Sequence, residues 1–154
     1  MKKVIWVLLA GILMAGPMPV ARADEDQIVI EDLSRAQLRA EIDKIQKEFY
    51  RVFNAANDDD KLDIICHRYL PTGSNIRKEA CEPQFVIDRR GENAANWQQQ
   101  IELLLSGTEL QADLEIEFQT LAAAINAVAM ENQYFRELRT ILRVLQARLE
   151  EITN

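Results

Sequence analysis

The stretch Asp58-Asp59-Asp60-Lys61-Leu62-Asp63-Ile64-Ile65-Cys66-His67-Arg68-Tyr69-Leu70-Pro71-Thr72-Gly73-Ser74-Asn75-Ile76-Arg77-Lys78-Glu79-Ala80-Cys81 holds both cysteines, the one histidine and the clearest turn signal of the chain. Cys66 and Cys81 are equidistant from the midpoint between Gly73 and Ser74. A reversal centred there places them opposite each other on antiparallel strands, within disulfide reach. The same register sets Arg68 against Glu79, an opposite-charge cross-strand pair worth roughly 0.2–1 kcal/mol. Pro71 presets φ near the start of the turn and Gly73 can take the positive φ that a tight reversal needs. Residues 63–69 are rich in β-branched and aromatic side chains, as strands are. The stretch therefore reads as a disulfide-closed β-hairpin between helices. The alternative is an irregular loop tied at its base by the same bond.

Working outward to the N-terminus, Lys2 and Lys3 precede an apolar run from Val4 to Met14, followed by Ala21-Arg22-Ala23. A charged n-region, an h-region and an A-x-A site predict a secretory signal peptide over residues 1–23, cleaved after Ala23. The apolar run is too short to span a bilayer. No cysteine near the cleavage site can carry a lipid, so no stable membrane insertion is expected after cleavage. The dilysine n-region has a bacterial character, which points to the periplasm. The remaining 131 residues suffice for one domain, 24–154, with a modest core. Lys2, Lys3 and Arg22 leave with the leader and no acid does, so the net charge moves from −7 to −10. Such a balance argues against nucleic acid and anionic lipid as partners. Two cysteines in an oxidising compartment form a structural pair most simply. Closing that loop stabilises the fold by roughly 3 kcal/mol in the chain-entropy picture.

Between the leader and the first helix, Ile28, Val29 and Ile30 are three β-branched residues framed by acids. They predict a short strand, added to the hairpin edge or donated to a partner by β-augmentation. Ser34 with Gln37 makes a capping box and Leu33 with Leu38 has the spacing of a hydrophobic staple. Leu38, Ile42, Ile45, Phe49 and Val52 then follow at spacings of four and three, a coiled-coil-like seam on one helix face. Asn- and Asp-rich sequence over residues 54–60 ends the helix.

Asp58, Asp59, Asp60 and Asp63 form the only acidic cluster that could hold a hard cation, but they lack the spacing and closing Glu of an EF-hand loop. Capping and solvation account for them. His67 has no second His or free Cys to complete a metal site, and no Ser carries a nucleophile motif. No metal or cofactor is implied. Taken together, Asn57-Asp58-Asp59-Asp60-x-Leu62-Asp63-Ile64-x-Cys66, then Pro71-Thr72-Gly73-Ser74-x-Ile76 and Cys81-x-Pro83, resemble a pattern of uncharacterised exported proteins of Gram-negative bacteria. The resemblance extends weakly back over Ile28–Ile30 and the first helix. It implies export and the same disulfide, and no activity, ligand or partner.

Beyond Pro83, a second helix is expected from about Gln84, with Phe85, Ala94, Trp97, Ile101, Leu104 and Leu105 on one stripe and Ser106-Gly107 ending it. Gly91 could divide it. Trp97 is placed in the core. Thr108 with Gln111 reads as the next capping box, and neither Gly nor Pro occurs from there to Asn154. Leu114, Phe118, Leu121, Ile125 and Val128 make one seam. Phe135, Leu138, Leu142, Leu145, Leu149 and Ile152 make another. The two differ by about one residue in register, which predicts overwinding or a break near Met130–Asn132. Unbroken, residues 109–152 would run about 66 Å, too long for a compact domain with a radius of gyration near 14 Å.

The predicted fold is mainly α: a helical bundle or helical hairpin with a long C-terminal helix and the small hairpin between the first two helices. Either the last helix bends and packs inward, or it stays straight and its distal seam needs a second copy or an envelope protein to cover it. Ala122, Ala123, Ala124, Ala127 and Ala129 give a slim surface for close approach. The function expected is a non-enzymatic periplasmic interaction or adaptor module. Its candidate contacts are Ile28, Val29 and Ile30 in the strand, and Phe135, Leu138, Leu142, Leu145 and Leu149 in the seam. The alternative is a protein binding a small ligand or a divalent cation. No nucleophile, base and orienting group stand together to indicate an enzyme.

Overall fold

Ser34 begins the first long helix as its sequence predicts: its side chain accepts from the Gln37 amide while the Gln37 side chain accepts from the Ser34 N–H, 3.0 Å. The structure, a computed structural model, describes residues 29–153; the leader and Ile28 lie outside them. Helix α1 spans Arg35–Ala56, and the strands β1 (Ile64–Tyr69) and β2 (Lys78–Pro83) follow. Four further helices complete the order: α2 (Gln84–Gln98), α3 (Gly107–Asp113), α4 (Glu115–Glu131) and α5 (Gln133–Glu151).

The strands pair antiparallel with Cys66 opposite Cys81 and Arg68 opposite Glu79, and the Cys66–Cys81 disulfide spans the hairpin. At the tip the Ser74 N–H donates to the Pro71 carbonyl, 3.0 Å, with Gly73 at φ +77, a backbone conformation that an L side chain resists. The Glu79 carboxylate is not spent on Arg68, however. It meets Lys47 of α1 at 2.6 Å, so the charge that was to favour strand register instead ties the hairpin to the helix. Asn54 adds a second tie: its side-chain amide donates to the Ile64 carbonyl at 3.0 Å and accepts from the Ile64 N–H at 2.9 Å.

Helices α1 and α5 lie antiparallel. At one end Arg35 donates to the Ile152 carbonyl and Arg148 to the Glu31 carbonyl; at the other Tyr134 donates to Glu48. Leu38, Leu142 and Leu145 are buried along this pair. Toward the hairpin end the rings of Phe49 and Phe135 stack at 4.3 Å and Phe53 tilts against Phe135 at 6.3 Å. Phe53 is wholly buried although it lies outside the predicted α1 seam. Four residues after Phe49, it widens the same buried face of α1. One core cluster joins Phe53 and Phe135 to Leu62, Ile64, Phe85, Leu110 and Val128, so every element except the first turn contributes.

The long C-terminal segment bends at Asn132, where the register slip placed it. Asn132 leaves helical geometry at φ −110, ψ 108, and its side chain accepts from the Phe135 N–H to start α5. Arg136 reaches back to the Ala129 and Met130 carbonyls, 2.8 and 3.0 Å, closing the end of α4. A second bend at Leu114 (φ −103, ψ 17) separates α3 from α4 while the Leu114 and Phe118 amides still make helical bonds.

Four expectations are corrected. Ile30 belongs to a single 3-10 turn, Ile30–Asp32, packed on α5, and among the described residues the sheet has two strands only. Arg148 anchors that turn to α5, at the end of α1 away from the Phe49–Phe135 stack. Helix α3 starts from Ser106 with Glu109 as its box partner, two residues before Thr108. Helix α2 runs unbroken through Gly91 but stops at Gln98, short of Leu105. With it Trp97 comes to the surface, 53% exposed, instead of entering the core.

Candidate functional site

The reason α2 stops where it does also builds the most distinctive surface of the molecule. Asn93, 3% exposed, is the one buried polar residue among those described. Its side-chain amide donates to the Leu103 carbonyl and accepts from the Leu105 N–H, both at 2.9 Å. This two-armed clamp folds residues 99–106 back over α2, with Gln100 taking φ +59 in the reversal. Arg89, one turn before Asn93, holds Glu102 through both guanidinium arms, the shorter at 2.6 Å, and Asp113 of α3 at 2.6 Å. Asn96 also donates to Glu102, 3.2 Å. The Arg89 guanidinium, with the Asn96 and Asn93 amides, holds the Glu102 carboxyl down to about 2, and the two carboxylates push Arg89 above its ordinary value. Both effects favour the charged pair that pins the loop.

Because Glu102 and Leu105 turn inward, their neighbours turn out. Ile101 is 69% exposed, Leu103 83% and Leu104 57%; with Trp97 they place four large exposed apolar side chains within one short segment, called the ridge below. The segment's backbone is held by the part-buried Asn93 bonds to Leu103 and Leu105 and by the Arg89–Glu102 pair, so the exposure belongs to an ordered segment. Large apolar side chains exposed close together in sequence on an ordered segment are candidates for contact with a partner. Beside Leu104 a cleft of about 390 Å³ runs between α2, α3 and α4, with Val86, Leu105, Leu110 and Phe118 on its walls and Arg90 paired to Glu82 there too.

The residues singled out in the sequence lie elsewhere. Val29 is half exposed and Ile30 partly covered against α5. Phe135, Leu138, Leu142 and Leu145 are buried and Leu149 half-buried. Helix α1 supplies the cover their apolarity demands, so the seam is internal packing and not a free docking face. Among the described residues no three of His, Cys, Asp or Glu come together as metal ligands would, and the 58–60 acids do not converge. No described helix is long and apolar enough to cross a membrane. The periodicity of residues 94–105 predicts a helical stripe, and that prediction hides the ridge. Nothing in the sequence sets Asn93 apart from the other polar residues of α2. Comparison with protein-family models, curated proteins and solved structures finds no match to this chain.

Proposed function

We propose that the protein is a non-enzymatic interaction module of the periplasm that holds an envelope protein partner through the Trp97–Leu104 ridge. The observation that carries this reading is the clamp: Asn93, Arg89 and Glu102 make part-buried polar contacts that order a loop on which Ile101, Leu103 and Leu104 stand exposed. Loops ordered to present aromatic and aliphatic side chains suit the desolvated centre of an interface. The disulfide is consistent with an oxidising compartment. Recovering the tagged chain under non-reducing conditions after in-cell cross-linking, and comparing it with Ile101→Ser/Leu103→Ser, tests the proposal. One stoichiometric envelope protein retained by the parent and lost by the variant is expected; equal recovery by both would refute it.

A second reading, a carrier of small apolar molecules, is favoured by the 390 Å³ cleft alone. Its volume falls in the range of small-molecule sites. Saturable enhancement of an apolar fluorophore's own emission on binding, lost in Val86→Phe, would support it over the first.

A further inference from the structure

Two grooves of opposite charge lie on opposite faces of α4. The first, about 870 Å³, has a floor of Ala124, Ala127 and Val128 and carries Asp58, Asp59 and Glu131 with no cation in its lining. The second, about 590 Å³, carries Arg136, Arg139 and Arg143 around Met130 with no carboxylate in its lining. Positions 124, 127, 128 and 131 share one helical face by their spacing, whereas 126, 129 and 130 share the other. Among the described residues none of these three carboxylates and none of these three arginines is within ion-pair distance of an opposite charge. Two of the arginines are held by uncharged acceptors: Arg136 by the Ala129 and Met130 carbonyls, Arg139 by Asn126 at 3.0 Å. Met130 stands 76% exposed between them.

We infer that the arginine groove of one molecule receives the acidic groove of a second copy. A cationic partner would explain one groove and an anionic partner the other; a second copy explains both, with three charges against three. The small side chains on the acidic floor admit close approach, and Met130 and Tyr134 supply apolar contact beside the charges. Since the grooves face opposite ways on α4, a pair of molecules satisfies only one contact and leaves one groove of each kind open. The association is head-to-tail and continues past the dimer or closes as a ring. It is independent of the Trp97–Leu104 ridge.

Sedimentation velocity over a concentration series tests this, with salt at about 0.02 M and about 0.5 M. The expected result is growth in mass beyond a dimer at low salt, with the midpoint moved to about tenfold higher concentration at high salt as the charges are screened. Asp58→Arg/Glu131→Arg and Arg139→Glu/Arg143→Glu each change only exposed side chains. Each alone is expected to stay monomeric, and an equimolar mixture of the two to associate again. The ridge variant Ile101→Ser/Leu103→Ser is expected to associate like the parent, which separates this inference from the function proposed above. Folding of each variant is checked by its melting curve, and Arg139→Gln/Arg143→Gln, which removes charge without reversing it, stands in if a reversed variant does not fold. A mass independent of concentration and salt, a closed dimer, or association unaltered by charge reversal would overturn it. So would Arg139-dependent binding of inorganic phosphate or anionic vesicles by a protein that stays monomeric.

Discussion

Asn93→Ala removes both arms of the clamp at once, and its cost can be worked from the two groups it orphans. The Leu105 N–H lies in a half-buried residue packed on the core, so losing its 2.9 Å acceptor leaves a poorly hydrated donor, about 1–3 kcal/mol. The Leu103 carbonyl belongs to an exposed residue and can turn to water, which limits its loss to about 0.5–1.5 kcal/mol. The expected total is about 1.5–4.5 kcal/mol, or roughly 10 °C in melting temperature for a chain of this size. The loss is accompanied by a local signature. Beyond residue 23, Trp97 is the only tryptophan, so its emission reports the ridge directly. Asn93→Ala is expected to red-shift that emission under native conditions and to remove hydrogen-exchange protection from the Leu105 amide, while amides of α1 and α5 keep theirs relative to global stability. A loss below about 1 kcal/mol with Leu105 still protected would show that the loop is held by something other than Asn93, and the argument for an ordered ridge would fail.

Further outcomes follow from the same contacts. Cys66→Ser and Cys81→Ser are each expected to lower stability by about 3 kcal/mol in denaturant titrations, and a clear inequality between them would contradict a purely structural bond. Phe135→Ala, which empties the space between Phe49 and Phe53, is expected to cost about 3–5 kcal/mol; a near-neutral result would mean that α1 does not cover the α5 seam. The Glu102 carboxyl is depressed from its usual value near 4.5 to about 2. Its contribution is therefore full above that usual value and lost as pH falls from about 4.5 toward 2. Trp97 emission followed over that range should shift in the parent, and Glu102→Gln should flatten the response.

The parts of the fold legible in the sequence are those where geometry leaves few choices. Gly73 and the symmetric cysteines fix one hairpin register, and Cys66 does face Cys81. The phase slip between the Val128 and Phe135 seams likewise locates the bend at Asn132, because a helix cannot keep both stripes on one face. Ser34 and Gln37 mark a helix start without competition. Where two local rules fit equally well, the reading failed: Ser106 with Glu109 and Thr108 with Gln111 both make capping boxes, and the Glu109 carboxylate, held below its usual range by the Ser106 backbone and hydroxyl, decides between them. Periodicity predicts a buried Trp97 for a different reason. Periodicity counts apolar residues, whereas the end of α2 is set by Asn93, whose value lies in two distant backbone groups. Ile30 illustrates tertiary override: the β-branched composition around it favours a strand, but it lies in the 3-10 turn whose Glu31 carbonyl Arg148 draws onto α5. No residue-level pattern announces the ridge, since exposure depends on which neighbours turn inward.

The most direct test of the ridge as the working surface is site-specific photo-cross-linking in cells, with the probe placed in turn at Ile101, Leu103 and, as a control on exposed α1, Arg39. The account predicts one discrete envelope-protein adduct from Ile101 and Leu103 that is absent from Arg39 and disappears when Asn93→Ala releases the loop. No adduct at the ridge, or the same adducts from Arg39, would contradict it.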